Sequence, residues 1–197
     1  MIKAILFDAD GVLIHTELAT VELVRKHGIP QSVSQEFFST EWGDILKGRA
    51  DTREKMAPYL KEWGWEGSVE DYQKFWFEFE HKLDKDMIDN IQQLRKNNVK
   101  CYVATNQDKY RAEYMLKEMG FEHSFDGMFA SAHLGEKKPD SLFFDKILLR
   151  LNLQPKEVLF WDDSEENVTA ASKIGINSEI FKTMDSYKAT MKDVYGL

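Results

Sequence analysis

The sequence predicts an α/β fold in which a doubly wound parallel sheet carries an inserted helical domain. Two observations predict the sheet: short apolar runs recur along the chain, and segments with helical periodicity separate them. A third predicts the insertion, because residues 15–85 contain several helical stretches and no convincing strand. The expected division is a core of residues 1–14 and 86–197 and an inserted helical domain of residues 15–85.

Five strands are expected from runs that are apolar on both faces, as buried parallel strands are. In chain order they are Ile2–Phe7, Val99–Ala104, Gly127–Ala130, Val158–Trp161 and Ser178–Phe181, and the third is the weakest. Ligands of doubly wound sheets bind at the carboxyl ends of the strands. Polar residues directly after these runs are therefore candidates for the functional site.

Helices with one apolar stripe are expected between the later strands. Their expected bounds are Met87–Asn97, Lys109–Met119, a helix opened by Pro139 at its first position, and Glu165–Ile174. In the insertion, Ser32 with Gln35 and Ser68 with Asp71 have the spacing of capping boxes. The insertion is expected to have its own apolar core, because it holds four of the five tryptophans: Trp42, Trp63, Trp65 and Trp76.

The composition is that of a globular protein whose main partner is not a polyanion. The chain has 197 residues, of which 43% are hydrophobic and 30% charged, with a formal net charge of -8. This charge disfavours nucleic acid and anionic membranes as partners. No apolar stretch approaches the roughly 20 residues of a membrane span, and no signal-peptide pattern begins the chain. With a single cysteine, Cys101, a cytoplasmic protein is expected.

Asp8 and Asp10 follow the first apolar run directly, in the stretch FDADGVL. Side chains two residues apart in a strand point to the same side, so the two carboxylates would lie close together. Their charges repel unless a cation intervenes, and Mg²⁺ prefers oxygen ligands. Gly11 would let the chain turn away. The stretch predicts a magnesium site, and the alternative is a solvated turn at a strand end.

Other strand ends supply complementary chemistry. Thr105 and Asn106 follow the second strand and offer a hydroxyl and backbone amides to a phosphate oxygen, although such residues also cap helices. The fourth strand ends on a second carboxylate pair, Asp162 and Asp163. Lys138 could neutralise a phosphoryl group and a carboxylate together, and a solvated surface lysine is the alternative.

Four stretches, FDADGVL, VATN, GEKKPDSLFF and VLFWDDSEEN, resemble in order and context the four motifs of the haloacid dehalogenase-like hydrolase superfamily. The resemblance covers about residues 1–14 and 86–182, and the insertion is similar in position and length to that superfamily's smaller helical cap. The branch that looks most similar is the phosphatase branch with glucose-1-phosphate phosphatases and the phosphatase half of epoxide hydrolases. The resemblance implies a Mg²⁺-dependent enzyme that hydrolyses a small phosphorylated metabolite.

The resemblance also implies catalytic roles. Asp8 would be the nucleophile that forms an aspartyl-phosphate, and Asp10 would be the general acid and then the general base. Lys138 would stabilise both the phosphate and the Asp8 carboxylate. The superfamily's dehalogenases lack an acid at the Asp10 position, so this residue favours phosphate chemistry. A phosphomutase of the β-phosphoglucomutase kind and a non-catalytic binding protein stay open as alternatives.

Binding roles follow from the same resemblance. Thr105 and the amide of Asn106 would hold the phosphate. Asp163 would be a direct ligand of Mg²⁺, together with Asp8 and the backbone carbonyl of Asp10, while Asp162 would act through a water or from behind the ligands. These assignments place the metal and the phosphate at one edge of the sheet.

Contacts to the leaving group are expected from the inserted helices. Lys47 and Arg49 lie in ILKGRAD, a loop expected between two helices, and Arg49 could bind a second anionic group, a solvated charge being the alternative. The tryptophans could line an apolar pocket or pack between helices. His15-Thr16-Glu17 stands where related proteins often carry an aspartate and a serine, and it is interpreted as a linker with Thr16 as a helix N-cap, a hinge or substrate contact being the alternative.

Overall fold

The computed structural model describes residues 1–15 and 19–197. It contains one five-stranded sheet in which every pairing is parallel, with the order β3-β2-β1-β4-β5. The strands are β1 (Ala4–Phe7), β2 (Lys100–Thr105), β3 (Gly127–Ala130), β4 (Val158–Asp162) and β5 (Asn177–Ile180). The chain builds the sheet outward from β1 in both directions, and the five expected strands are confirmed within two residues at each end.

Seven helices accompany the sheet in the described part of the chain. They are α6 (Lys85–Lys96), α7 (Lys109–Lys117), α8 (Phe121–Ser124), α9 (Ser131–Leu134), α10 (Ser141–Leu151), α11 (Glu165–Lys173) and α12 (Met184–Thr190). Alternate residues of β1 pack on opposite faces: Ile5 and Phe7 belong to an apolar cluster with residues of α6, α7 and α12, whereas Leu6 belongs to a second cluster with residues of α10 and α11. Helices on both faces bury the strands β1 and β4 completely, which confirms the predicted α/β fold class.

Two of the expected helix starts near the sheet differ from the structure by two residues, at Met87, where α6 already begins at Lys85, and at Pro139. Pro139 does not open a helix, because α10 begins at Ser141 after the N-cap residue Asp140. The Asp140 carboxylate accepts a hydrogen bond from the backbone N–H of Leu142. A side-chain oxygen that satisfies a free N–H is a stronger start signal than the ring of proline, so the helix begins two residues later than expected.

Five α-helices lie between β1 and α6 in the part of this stretch that the structure describes: α1 (Ala19–His27), α2 (Gln31–Thr40), α3 (Trp42–Leu46), α4 (Thr52–Glu62) and α5 (Val69–Phe79). Residues 19–79 contain no strand, and their buried side chains form an apolar cluster of their own, built around Phe37, Met56 and Trp76. These five are called the inserted helices below. The division of the chain at residues 15 and 85 stays a prediction.

The two capping boxes expected in this region have opposite outcomes. The box at Ser68 and Asp71 is confirmed, with both reciprocal hydrogen bonds at the start of α5. The box at Ser32 and Gln35 is wrong, because α2 begins at Gln31 after Pro30, without a side-chain cap. Ser32 therefore lies inside the helix, where its backbone is already helical and cannot act as an N-cap.

Two adjacent backbone segments connect the inserted helices to the sheet. Ile14 and Leu83 form an antiparallel bridge, and the N–H of His15 donates to the carbonyl of Lys82 at 2.8 Å. The side chain of His15 is exposed, and residues 16 and 17, including the expected N-cap, lie outside the described residues. Among the described helices, none has the length and apolar character to cross a membrane.

Candidate active site

The carboxyl ends of β1, β2 and β4 meet at one edge of the sheet. Since β1 lies between the other two strands, the residues that follow them become neighbours, and the N–H of Asp8 still pairs with β4 through the carbonyl of Trp161 at 2.9 Å. A cavity of about 260 Å³ opens at this edge, and it is called the edge cavity. It is lined by Asp8, Asp10, Thr105, Asn106, Lys138, Asp163 and Asn167. Residues from four separate motifs thus converge.

Lys138 lies between two buried carboxylates. Its Nζ is 2.7 Å from Oδ1 of Asp8 and 2.6 Å from Oδ2 of Asp162, and its side chain is 1% exposed. Burial opposes the positive charge, but the two carboxylates outweigh burial and raise the pKa of Lys138. The lysine is therefore a buried cation and not the solvated surface residue that was the alternative.

The carboxyl group of Asp8 has a raised pKa. Burial raises its pKa to about 7, Lys138 opposes this rise, and the neighbouring Asp162 adds to it. The single positive charge of Lys138 therefore does not balance the negative charges of the carboxylates around it. A further cation at this place would favour the ionised form of Asp8, which is the form that can act as a nucleophile.

A divalent cation fits the donor atoms at this place. Oxygens of Asp8, Asp162 and Asp163 lie within 4.8 Å of one another, and hard cations such as Mg²⁺ take oxygen ligands of this kind. The Asp163 carboxylate packs against Gly11, where an added Cβ would lie only 2.2 Å from Oδ2. Gly11 also has a φ of +84°, which other residues disfavour, so the turn after β1 has two independent reasons to be glycine.

Asp162 differs from Asp163 in the number of hydrogen-bond donors that contact its carboxylate. Besides Lys138, its carboxylate accepts from the N–H of Ser164 at 2.8 Å and from the side chain of Asn167 at 3.0 and 3.1 Å. It is fully buried, whereas Asp163 is solvent-accessible. This arrangement favours Asp163 as the direct metal ligand and leaves Asp162 as the residue that positions Lys138.

Asn106 contributes its side chain as well as its backbone. The amide Nδ2 donates to the carbonyl of Lys138 at 2.9 Å, and Oδ1 accepts from the N–H of Lys138 at 2.9 Å. These reciprocal bonds hold the backbone before α10 against the end of β2. The sequence interpretation of Asn106 rested on its backbone amide and did not include this bracing of Lys138.

Two residues that hold Asp10, and a third that holds one of those two, were missed as site residues. Gln107 donates from Nε2 to Oδ2 of Asp10 at 2.5 Å, and Arg111 donates from Nη2 to Oδ1 at 3.0 Å. The other end of Arg111 binds Glu80, which follows the inserted helices. Arg111 is 1% exposed. The position of Gln107 right after Thr105-Asn106 was a usable signal, but nothing in the sequence marks Arg111 or Glu80.

Lys47 and Arg49 do lie between two helices, α3 and α4, as expected. Neither lines the edge cavity. The Nζ of Lys47 is 3.1 Å from Oε2 of Glu136, and Arg49 is exposed with only a 3.9 Å approach to Asp44. A substrate contact by either residue therefore stays a prediction, and the geometry favours a role for Lys47 in joining the inserted helices to the loop after α9.

The fold and the site together define a class: an α/β enzyme with buried carboxylates and a lysine at the carboxyl edge of its sheet. A family model described as haloacid dehalogenase-like hydrolase matches residues 2–175. The chain therefore belongs to the haloacid dehalogenase-like hydrolases, as its motifs suggested.

The sequence identity to individual curated relatives is low. Drimenol cyclase drtB of Aspergillus calidoustus is 26% identical over 200 residues, which is 100% of this chain and 37% of that protein. Sesquiterpene phosphatase astK of Aspergillus oryzae is 36% identical over 94 residues, 47% of each protein. The matches thus span less than half of these curated relatives.

A similar solved structure is HAD family enzyme bt-2542 from Bacteroides thetaiotaomicron in complex with magnesium and inorganic phosphate. It has a TM-score of 0.80 at 23% identity, and the match covers 93% of this chain and 96% of that chain. At this identity the likeness establishes the shared fold.

Proposed function

We propose that this protein is a Mg²⁺-dependent phosphatase that hydrolyses a small phosphomonoester through an aspartyl-phosphate on Asp8. The observation that carries the proposal is the meeting of Asp8, Asp10 and the buried Lys138 in one cavity. The likeness to a protein named as a phosphatase, and to an enzyme solved with magnesium and phosphate, supports it. The one cysteine, Cys101, is buried and free, which is in keeping with a reducing compartment such as the cytoplasm.

In the first step a carboxylate oxygen of Asp8 attacks phosphorus, and the bond between phosphorus and the leaving oxygen breaks. Asp10 gives its proton to that oxygen, so the alcohol leaves neutral. Lys138 lies 2.7 Å from Asp8 and offsets the negative charge of the Asp8 carboxylate before attack and of the phosphoryl group during transfer. Thr105 and Asn106 line the same cavity and are positioned to donate to the phosphoryl oxygens.

In the second step Asp10, now a carboxylate, removes a proton from a water that attacks the phosphorus of the aspartyl-phosphate. The bond to Asp8 breaks and inorganic phosphate is released, which returns both residues to their starting forms. Gln107 and Arg111 hold the two oxygens of Asp10 and so fix the direction in which it moves the proton.

Asp8 and Asp163, with the backbone carbonyl of Asp10, would hold the Mg²⁺. The bound ion would offset negative charge on the transferring phosphoryl group. Asp162 would stay behind these ligands, because its oxygens already accept from Lys138 and from its own loop.

The test is phosphate release from a panel of phosphomonoesters, with and without a chelator. Free phosphate is expected only when Mg²⁺ is present, and activity should return when Mg²⁺ is added back. Glucose-1-phosphate should also be checked for conversion to the 6-phosphate, because isomer without free phosphate would assign a phosphomutase instead. Full turnover in the presence of the chelator would contradict the requirement for Mg²⁺. No turnover of any compound would overturn the proposed phosphatase activity.

Asp10→Asn is expected to lower kcat by about 10²- to 10⁴-fold, since a general acid and base is lost. The loss should be larger for an alkyl phosphate than for p-nitrophenyl phosphate, because p-nitrophenolate leaves without a proton. Steady-state rates on both substrates measure this contrast. The exposed Asp89 on α6 provides the control Asp89→Asn, which should keep wild-type rates. Equal losses of kcat on the two substrates would contradict the role of Asp10 as the general acid.

A further inference from the structure

A second, larger cavity lies directly beside the edge cavity. Its volume is about 970 Å³, it is called the side cavity, and it shares Asp10 and Asn106 with the edge cavity. Asp10 is the residue proposed to protonate the leaving oxygen, so the side cavity lies where the leaving group must be. A volume near the upper end of the roughly 300–1,000 Å³ usual for ligand sites can enclose a large group.

We propose that the side cavity binds a hydrocarbon chain, so that the substrate is the phosphomonoester of an apolar, long-chain alcohol. This rests on the proposed phosphatase function and names its substrate class. The wall of the cavity is mostly apolar. Carbon surface comes from the inserted helices through Ala19, Phe38, Trp42, Tyr72 and Trp76, of which three are buried and two half-buried.

The aromatic residues divide between the two roles that the sequence left open. Trp42 and Trp76 line the side cavity, whereas Trp63 and Trp65 pack only within the apolar cluster of the inserted helices. The ring of Trp42 contacts Phe38, with centroids 5.3 Å apart. An apolar chain in this cavity would therefore contact ring faces and edges on the side of the inserted helices.

The charges of the side cavity disfavour a second anionic group on the substrate. Among the described residues that line it, Arg111 is the single cation, and both of its ends bind carboxylates, those of Asp10 and Glu80. A substrate carboxylate or second phosphate would meet these two acids without a free positive charge. Sugar bisphosphates and phosphorylated carboxylic acids are thereby disfavoured.

Five of the polar residues that line the side cavity are exposed to solvent. One face of α2 contributes these residues: Gln31, Ser32, Gln35, Glu36 and Ser39. Buried groups are already committed, since Ser34 donates to the carbonyl of Gln31 at 2.9 Å and the side chain of Trp76 bonds to Glu80. A buried sugar would leave several hydroxyls without partners, whereas a hydrocarbon chain needs none.

The experiment measures kcat/KM for n-alkyl phosphates from butyl to dodecyl, below their micelle concentrations, with glucose-1-phosphate and glycerol phosphate for comparison. Each buried methylene is expected to raise kcat/KM by about 3- to 4-fold until the cavity is filled. The polar phosphates should be the poorest substrates, because their hydroxyls lose water without gaining partners.

Trp42→Ala and Trp65→Ala form a matched pair. Both residues are half-buried tryptophans of the same apolar cluster, but only Trp42 lines the side cavity. Trp42→Ala should lower kcat/KM for dodecyl phosphate by about 10-fold or more and by a larger factor than for butyl phosphate, and Trp65→Ala should keep the wild-type chain-length dependence. If Trp42→Ala does not fold, Phe38→Asn provides a second variant. It replaces another aromatic residue of the cavity wall by a smaller, polar one and should weaken the chain-length dependence in the same direction.

The outcomes separate the two proposals. If p-nitrophenyl phosphate is hydrolysed but kcat/KM does not rise with chain length, the apolar substrate is overturned and the phosphatase stands. A preference for glucose-1-phosphate or for a bisphosphate has the same meaning. If no phosphomonoester is hydrolysed, both proposals fail. A chain-length dependence that Trp42→Ala and Phe38→Asn leave intact would show that the chain binds elsewhere.

Discussion

Asp8→Asn is expected to abolish phosphate release, with a loss of at least about 10³-fold in kcat. An amide nitrogen or oxygen is a poor nucleophile toward phosphorus, so no covalent intermediate forms and Lys138 and Asp10 have no reaction to assist. The measurement is the steady-state rate on p-nitrophenyl phosphate. A rapid acid quench followed by intact-mass analysis should find a phosphoryl group on the wild-type protein and none on the variant.

Loss of folding would not explain this result. Burial raises the pKa of Asp8 to about 7, so the ionised side chain is costly in the folded protein and a neutral asparagine removes that cost. Lys138 keeps Asp162 as its partner at 2.6 Å. The melting temperature of Asp8→Asn should therefore equal or exceed that of the wild type. Wild-type rates in Asp8→Asn, or a phosphoryl group on that variant, would contradict the assignment of Asp8 as the nucleophile.

Lys138→Met should destabilise the protein by about 3–5 kcal/mol and remove most of the activity. The substitution keeps much of the side-chain volume but leaves two buried carboxylates, Asp8 and Asp162, without the cation between them. Chemical denaturation measures the loss of stability. Lys137 is the adjacent lysine and does not line the edge cavity, so Lys137→Met is the matched control and should change neither quantity much.

A double variant and a pH profile distinguish this explanation from simple loss of packing. Lys138→Met with Asp162→Asn removes one of the unpaired carboxylates, so it should be more stable than Lys138→Met alone. Because Lys138 lowers the pKa of Asp8, its removal should raise that pKa above about 7. The residual activity should then increase toward higher pH than in the wild type. Additive losses and an unchanged pH profile would contradict the proposed charge pairing.

The sequence predicted the sheet well because its strands β1 and β4 are buried on both faces. A strand covered by helices on each side has to be apolar throughout, and it ends where the chain reaches the edge of the sheet. Asp8 and Asp162 stand at those ends. The same physical requirement therefore marked both the strands and the candidate site residues.

Helix starts were predicted less well because neighbouring residues compete to begin a helix. Pro139 and Asp140 are both suitable near a first turn, and the outcome depends on which backbone N–H needs a side-chain partner. In the same way Ser32 has the correct spacing from Gln35, but the helix already begins at Gln31. Spacing alone does not decide between starts one or two residues apart.

The sequence alone predicts the parallel sheet, the helical insertion and the residues that meet at the edge of the sheet: Asp8, Asp10, Thr105, Asn106, Lys138 and Asp163. Most of these residues follow strand ends, which are local features of the chain, and Lys138 is marked by the motif GEKKPDSLFF. The partners of Asp10 depend on tertiary packing, since Arg111 lies 101 positions from it and also binds Glu80. Tertiary packing also places Trp42 and Trp76 in the wall of a cavity, whereas Trp63 and Trp65 pack between helices. The reason is physical: ion pairs and cavity walls depend on how distant helices pack, and no local periodicity records that packing.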